Sequence, residues 1–299
     1  MSTAVDKWIH VIVSRRFEGN VRVSYSETEI VDNAAAVRHE LVREAMLLTG
    51  LPRAIDVVTL ADVPSHGTGL GSSSAVTVGL LNALYGYQGV YKAPLQLAEE
   101  ASRIEIDVLG KPIGRQDQYA AAVGGFNLIE FLPRGGGVRV EPIVSPPGTL
   151  ERVHTSLLLF YTGRQRPASR VLSGQRDAIR DGAAVEALVG MRDLAYELRE
   201  RLGAGDAEAM GPLLHRNWEL KRNLVPGLTD PEIDGWYDEA RAAGASGGKL
   251  LGAGAGGFFL VAAPPDCHAQ VRAALRDLRE LPLHFAARGT QITLRDASG

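Results

Sequence analysis

Residues 64–75 read Pro-Ser-His-Gly-Thr-Gly-Leu-Gly-Ser-Ser-Ser-Ala, with Gly67, Gly69 and Gly71 at alternate positions and Ser72, Ser73 and Ser74 directly behind them. Glycines at that spacing bring the backbone close to a ligand with no Cβ in the way. The serines open an apolar helix, whose free N–H groups and positive dipole end suit a phosphate chain. A hydroxyl of Ser72, Ser73 or Ser74 could also reach a phosphate-bound Mg²⁺. The plain alternative is a serine-capped helix after a glycine turn. Spelling excludes two rivals. No Gly-Lys-[Ser/Thr] closes the segment, so it is not a Walker A loop. Gly-x-Ser-x-Gly is absent, so it is not a hydrolase nucleophile elbow.

Two carboxylates follow in the stretch from Glu105 to Asp117. Glu105 borders the apolar stripe of a helix, where a carboxylate is costly unless it has a cation or donors to hold. Asp117 comes after a Gly- and Pro-rich turn with Arg115 two residues earlier, and a nearby guanidinium keeps a carboxylate ionised and able to accept a proton. Taken singly, each could be an ordinary surface acid. A second glycine cluster, 244–257, holds seven glycines in 14 residues, and Gly252, Gly254 and Gly257 satisfy G-x-G-x-x-G. That fingerprint needs a strand before it and a helix after it. Phe258–Ala262 instead reads as a strand, which argues against a dinucleotide site and leaves close backbone packing as the plain alternative. Lys221 and Arg222, behind Trp218, could grip an anionic substrate or be exposed helix charge. The seven histidines form no H-x-x-x-H pair, so no protein-only metal site is expected.

These residues need elements to hold them. Strand-like alternation begins at Trp8 and runs to Val13, then recurs at Val21, Val23 and Tyr25 across the turn Glu18-Gly19-Asn20, which predicts a hairpin. Helices are expected over Val37–Thr49, closed by Gly50 and Pro52, over Ser73–Tyr85, and from Pro94. Leu97, Ala101, Ile104 and Val108 give the third a stripe, stopped by Gly110 and Pro112. Ile55–Leu60 reads as a strand. Phe126–Phe131 and Val138–Ile143 read as a strand pair around the Arg134–Gly137 turn. Pro142, Pro146, Pro147 and Gly148 place a domain boundary there, giving domains 1–150 and 151–299. Leu157–Tyr161 is a buried-strand candidate, helices fill about 168–243, and Asp230-Pro231 starts the last of them. A strand at Phe258–Ala262, a helix from Pro265 to Leu281, and short strands at Leu283–Ala286 and Gln291–Leu294 complete the chain. Strand and helix runs without strict βαβ alternation predict an α+β fold in two subdomains.

Composition sets the class. Lys plus Arg is 32 against 35 for Asp plus Glu, a formal net charge of −3, which excludes a nucleic-acid binder driven by bulk positive charge and gives no hint of an anionic membrane. Of 299 residues, 45% are apolar and 34 are glycine, about 11% against an ordinary share near 7%. Cys267 is the only cysteine, so neither an internal disulfide nor a Cys-based zinc site can form, and a reducing, cytoplasmic compartment is expected. The start MSTAVDKWIH does not read as a secretory signal, and no run of 18 apolar residues exists.

Three motifs, in order, resemble the kinase superfamily named for galactokinase, homoserine kinase, mevalonate kinase and phosphomevalonate kinase. Gly69-Leu-Gly-Ser-Ser-Ser-Ala75 looks like its phosphate loop, the Glu105–Asp117 stretch its central segment, and Lys249-Leu-Leu-Gly-Ala-Gly-Ala-Gly-Gly-Phe258 its C-terminal glycine motif. Val5–Ile9, Gly114–Ala122, Leu157–Gly163 and Asn217–Arg222 are similar to D-glycero-D-manno-heptose 7-phosphate kinases and close sugar kinases. The resemblance implies a two-domain α+β body with its active site in the cleft between domains. It implies that ATP is the donor and that Gly67, Gly69, Gly71, Ser72 and Ser73 cradle its phosphates. Ser73, with Ser72 or Ser74 as substitutes, and Glu105 would approach Mg²⁺. Asp117 would be the base for the sugar hydroxyl, and Gly254, Gly256 and Gly257 would shape the substrate side. For a heptose 7-phosphate the acceptor is the anomeric hydroxyl, the product the 1,7-bisphosphate, and Lys221, Arg222 or Arg115 would receive the existing phosphate. The implied partner is a small sugar or sugar phosphate, with no nucleic acid and no membrane.

The resemblance departs at His66 and at the start, where a first strand and a glycine-rich turn ending in Thr-Asp are implied ahead of Val5, roughly 25–35 residues that the sequence does not include. Other readings therefore stay open: a fucose- or galactose-type sugar 1-kinase, or a non-catalytic nucleotide- or sugar-binding protein on a shortened kinase fold.

Overall fold

Ile55, Asp56 and Val57 are consecutive buried residues, and a strand buried on both faces belongs in the middle of a sheet. In the computed structural model, which describes residues 1–63, 69–164, 174, 179, 182, 184–224, 227–252, 254 and 256–295, that is where they lie. The N-terminal sheet has strands β1 (Ile9–Arg15), β2 (Val21–Ser24), β3 (Thr28–Val31) and β4 (Ile55–Ala61), in the order β1-β4-β2-β3. β4 pairs antiparallel with β1, Ile9 opposite Ala61, and parallel with β2, Val23 opposite Val57. The expected hairpin of the first two strands is thus split by β4, and β2 makes its hairpin with β3 instead. Charge helps fix the insertion: Asp56 Oδ2 accepts from Arg22 of β2 at 2.8 Å and its Oδ1 from Arg16, just past β1, at 3.3 Å.

Helix α1 (Glu40–Thr49) starts at His39, whose Nδ1 accepts from Val42 N–H, and ends on the left-handed Gly50. Helix α2 (Ser72–Tyr87) packs on β1 and buries Val76, Val78, Leu80, Leu81 and Leu84. Helix α3 (Pro94–Ser102) does not continue regularly. Arg103–Val108 winds as a π-helix, whose wider turn shifts the phase of the stripe. Leu97, Ala101 and Ile104 are buried as expected, but Val108 is 53% exposed and Glu105 is fully buried. Helix α4 (Gln116–Val123) follows.

The second unit begins at Phe126. Strands β5 (Phe126–Phe131) and β6 (Val138–Pro142) form the expected antiparallel pair. Helix α5 (Thr149–Thr155) leads to β7 (Leu157–Tyr161), and helices α6 (Val185–Gly203), α7 (Met210–Arg222) and α8 (Pro231–Ala242) follow. Asp230 caps α8 by accepting from Ile233 N–H at 3.0 Å. Strands β8 (Gly247–Leu250), β9 (Phe258–Ala262) and β10 (Arg279–Leu281), with helix α9 (His268–Ala274) between the last two, complete an antiparallel sheet of order β10-β7-β9-β8. One apolar cluster gathers Phe160, Trp218, Leu228, Tyr237 and Phe259. A second gathers Leu128, Ile143, Val153, Leu198 and Leu213. The helix expected over Pro265–Leu281 is therefore shorter, and neither Leu283–Ala286 nor Gln291–Leu294 forms a strand.

The chain divides into one unit of residues 2–65, 71–125 and 286–299 and another of residues 1, 66–70 and 126–285. The change at 125/126, rather than at 150, follows from packing. Leu128 and Ile143 belong to the same apolar cluster as Val153 and Leu157, so the Pro-rich stretch lies inside a unit. The C-terminal segment returns to the first unit through Gly289 N–H to Val123 O, Thr290 N–H to Ala121 O and Asn82 Nδ2 to Thr290 Oγ1. Gly124 makes that return possible. It has φ +71°, and a Cβ there would sit 2.1 Å from the Arg288 carbonyl carbon. Gly124→Ala is expected to destabilise the protein by about 2–4 kcal/mol, strain and displacement together. Thermal unfolding checks this, with a control at an exposed site such as Ala273→Ser expected near wild type. No helix among the described residues is long and apolar enough to cross a membrane.

Candidate active site

The π-helical turn aims Glu105 at the start of α2. Its Oε1 accepts from Ser73 Oγ at 3.1 Å and Thr77 Oγ1 at 2.7 Å. Its Oε2 accepts from Ser74 Oγ at 2.9 Å and Gln118 Nε2 at 2.6 Å. Four donors on one fully buried carboxylate fix the first turn of α2 against α4. Serines 73 and 74, read as phosphate and metal ligands, thus meet Glu105 directly, while Ser72 is buried at the first position of the helix. Gly71, left-handed at φ +71°, is the N-cap of α2. Asp117, in the first turn of α4, lies against it: a Cβ on Gly71 would be 3.1 Å from Asp117 Cβ and 3.5 Å from its Oδ2. So Gly71, Ser72, Ser73, Ser74, Glu105 and Asp117 gather at one place in the first unit. Arg115 is exposed and is the N-cap residue of α4. Gly67 lies outside the described residues.

Sequence reasoning missed Thr77 and Gln118. Thr77 follows Ser73 by one helical turn, a spacing that could have signalled a shared face. Gln118 directly follows Asp117 but gave no separate signal. Its Oε1 is a buried acceptor with no donor among the described residues. Mg²⁺ is a hard cation that takes oxygen ligands. These four donors to Glu105 are neutral, no Lys or Arg among the described residues forms an ion pair with it, and Ser73 is half-buried. A buried carboxylate without a cationic partner among the described residues, beside hydroxyls and an orphaned amide oxygen, is a donor set that fits such a cation.

In the second unit the C-terminal glycines meet other backbones. Gly69 and Gly252 press together: a Cβ on Gly69 would be 2.7 Å from Leu251 O, and one on Gly252 would be 2.4 Å from Gly69 Cα. Only residues without Cβ permit that approach. A Cβ on Gly254 would be 2.8 Å from Leu228 Cγ, and one on Gly256 2.9 Å from Arg164 O. Gly257 N–H donates to Arg164 O at 2.9 Å, and Gly257 O accepts from Thr162 N–H and Oγ1 at 2.9 and 2.8 Å. Arg164 in turn donates to Asp230 and Glu232. Close backbone packing therefore explains the spacing of this cluster.

Two of the three cations proposed for an anionic substrate have partners within the second unit. Lys221 is buried, and its Nζ donates to Leu250 O at 3.2 Å and Gly252 O at 2.6 Å. A basic residue behind Trp218 was legible; that its ammonium faces carbonyls was not. Arg222 donates to Glu219 at 3.3 Å and lies 3.9 Å from Asp234. Lys249, a cation to which sequence reasoning gave no role, donates to Asn217 Oδ1 at 2.8 Å, and burial pushes its ammonium down to about 8.

Comparison with known proteins points to one family. Residues 25–125 match the N-terminal domain of the GHMP kinases and residues 194–280 match their C-terminal domain. The chain is 27% identical over 291 residues to the D-glycero-alpha-D-manno-heptose 7-phosphate kinase of Campylobacter jejuni, covering 92% of this chain and 84% of that protein. It is 28% identical to a mevalonate kinase of Methanothermobacter thermautotrophicus, covering 97% and 91%. A crystal structure of a D-glycero-D-manno-heptose 1-phosphate kinase from Bacteroides thetaiotaomicron has the same fold, with a TM-score of 0.77 at 23% identity over 95% of this chain and 86% of that one. With both domains matched and the serine-headed helix in place, the chain belongs to the GHMP kinases and is a sugar kinase of that family, an enzyme that transfers phosphate from ATP to an alcohol oxygen.

Proposed function

We propose that this kinase phosphorylates the anomeric hydroxyl of D-glycero-D-manno-heptose 7-phosphate, giving the 1,7-bisphosphate and ADP. The observation that carries the chemistry is the gathering of Asp117, Gly71 and the Glu105-bound serines at the start of α2. The N–H groups at the start of α2 and the glycines ahead of it receive the ATP phosphates. Ser73 and Glu105 would hold Mg²⁺, which when bound neutralises phosphate charge. Asp117 orients the acceptor hydroxyl and takes its proton as the oxygen forms its bond to the γ-phosphorus and the bond to the β-phosphate oxygen breaks. Asp117 is placed for this in the first turn of α4, against Gly71 at the head of α2. Arg115, exposed two residues ahead of Asp117, remains the candidate for the sugar's own phosphate.

The choice of heptose 7-phosphate rests on the Campylobacter relative and on the motif resemblance. Comparing kcat/KM with ATP and Mg²⁺ for heptose 7-phosphate, fucose, galactose and mevalonate tests it. The heptose phosphate is expected to lead by about 10²-fold or more, as a site built for a polar group discriminates against acceptors that lack it. A lead for any of the other three overturns the assignment. ATP binding without turnover of any acceptor favours the non-catalytic reading.

A further inference from the structure

We infer that Lys221 is a positioning residue for the phosphate loop, acting through the turn at Leu250–Gly252. The inference rests on reading Gly69 as part of that loop. Helix α7 is held against β8 at both ends. Near its start, a Cβ on Gly247 would be 2.0 Å from Gly211 O, so helix and strand meet backbone to backbone. At its other end stands Lys221, one turn after the fully buried Trp218. The β8–β9 ladder stops at Leu250 opposite Phe259, with one further bond from Leu251 N–H to Phe258 O at 2.9 Å. Beyond it, no ladder bond reaches Gly252 O among the described residues. The Lys221 ammonium reaches it instead, donating to Gly252 O at 2.6 Å and to the carbonyl of buried Leu250 at 3.2 Å. Hydrogen bonds from a charged donor are the strong kind, and a cation at a helix C-terminus is favoured.

Two carbonyls held by one ammonium fix the turn between them, and that turn carries Leu251 O and Gly252 onto Gly69. Lys221 therefore sets the position of Gly69 without touching nucleotide. The site reserves this lysine for the loop rather than for the phosphate of the sugar. Its chemistry makes the substitution revealing: methionine fills a similar volume but donates nothing, and glutamine keeps a shorter neutral donor.

The test is nucleotide affinity, measured with a fluorescent ATP analogue and no acceptor, for Lys221→Met and Lys221→Gln, beside acceptor KM and melting temperature. The expected result is a Kd for nucleotide raised about 10–100-fold in Lys221→Met and less in Lys221→Gln, because displacement of a positioned group by about 1 Å has effects of that order. Acceptor KM is expected to stay within about 2-fold in both. A lower melting temperature with unchanged nucleotide Kd overturns the inference and leaves a merely structural lysine. Raised acceptor KM with unchanged nucleotide Kd overturns it in favour of a substrate-phosphate contact. If Lys221→Met does not fold, Lys221→Gln decides by the same two readings. Wild-type protein that fails to bind the analogue overturns the phosphate-loop reading itself, a separate result from normal wild-type binding with unaffected variants.

Discussion

Asp117→Asn is expected to lower kcat by about 10²–10⁴-fold, the usual contribution of a positioned proton acceptor. The side chains are nearly the same size, and Asp117 lies half-buried in the first turn of α4 against Gly71, so packing should survive. What the amide loses is the capacity to take a proton from the acceptor hydroxyl. It also loses the favourable interaction of a carboxylate with the helix N-terminus, worth about 0.3–1 kcal/mol, so the melting temperature should fall only slightly. Nucleotide Kd should stay near wild type, since ATP binding does not need the proton. Steady-state kinetics beside equilibrium nucleotide binding checks this. A kcat within about 3-fold of wild type would remove Asp117 from proton transfer and leave it a role in orientation.

Glu105→Ala is expected to cost both stability and activity. Ser73, Ser74, Thr77 and Gln118 all donate to this carboxylate, and all but Ser73 are buried. A buried donor left without an acceptor costs about 1–3 kcal/mol. Losing several at once removes a large share of an ordinary stability of about 5–15 kcal/mol, so a marked drop in melting temperature should follow. Glu105→Gln separates charge from shape. It keeps one acceptor oxygen, removes the negative charge and turns an amide toward the hydroxyls. Mn²⁺ binding to the nucleotide complex, followed by paramagnetic resonance, should weaken by about 10-fold or more in this variant, a loss near 1.4 kcal/mol. Unchanged Mn²⁺ affinity in Glu105→Gln would assign the carboxylate to anchoring α2 alone.

Most of the residues that gather at the start of α2 stand out in the sequence more clearly than the elements that carry them. Alternate glycines ahead of three serines have few other uses, and Glu105 and Asp117 stood at plausible distances behind them. How Glu105 becomes buried was not legible. The side-chain pattern of 97–108 fits a regular helix, and a π-turn leaves no mark in that pattern beyond the exposure of Val108. The split hairpin escaped for a related reason: local alternation marks β1 and β2 as strands but not the later strand that enters between them. Prolines at 142–147 look like a linker, whereas side chains on either side share one apolar cluster, so the units divide at 125/126 instead. Lys221 shows the limit of charge reading. A basic pair on a helix suggests an anion, and only the folded chain reveals that one member is turned onto backbone carbonyls.

The most direct measurement follows a mixture of the protein, ATP, Mg²⁺ and D-glycero-D-manno-heptose 7-phosphate by phosphorus NMR. ADP is expected to form in step with a new phosphate bonded to the anomeric carbon, with both signals lost in Asp117→Asn. ATP that binds and remains intact in the presence of acceptor, or a new phosphate on any other oxygen of the sugar, contradicts the heptose 1-kinase assignment.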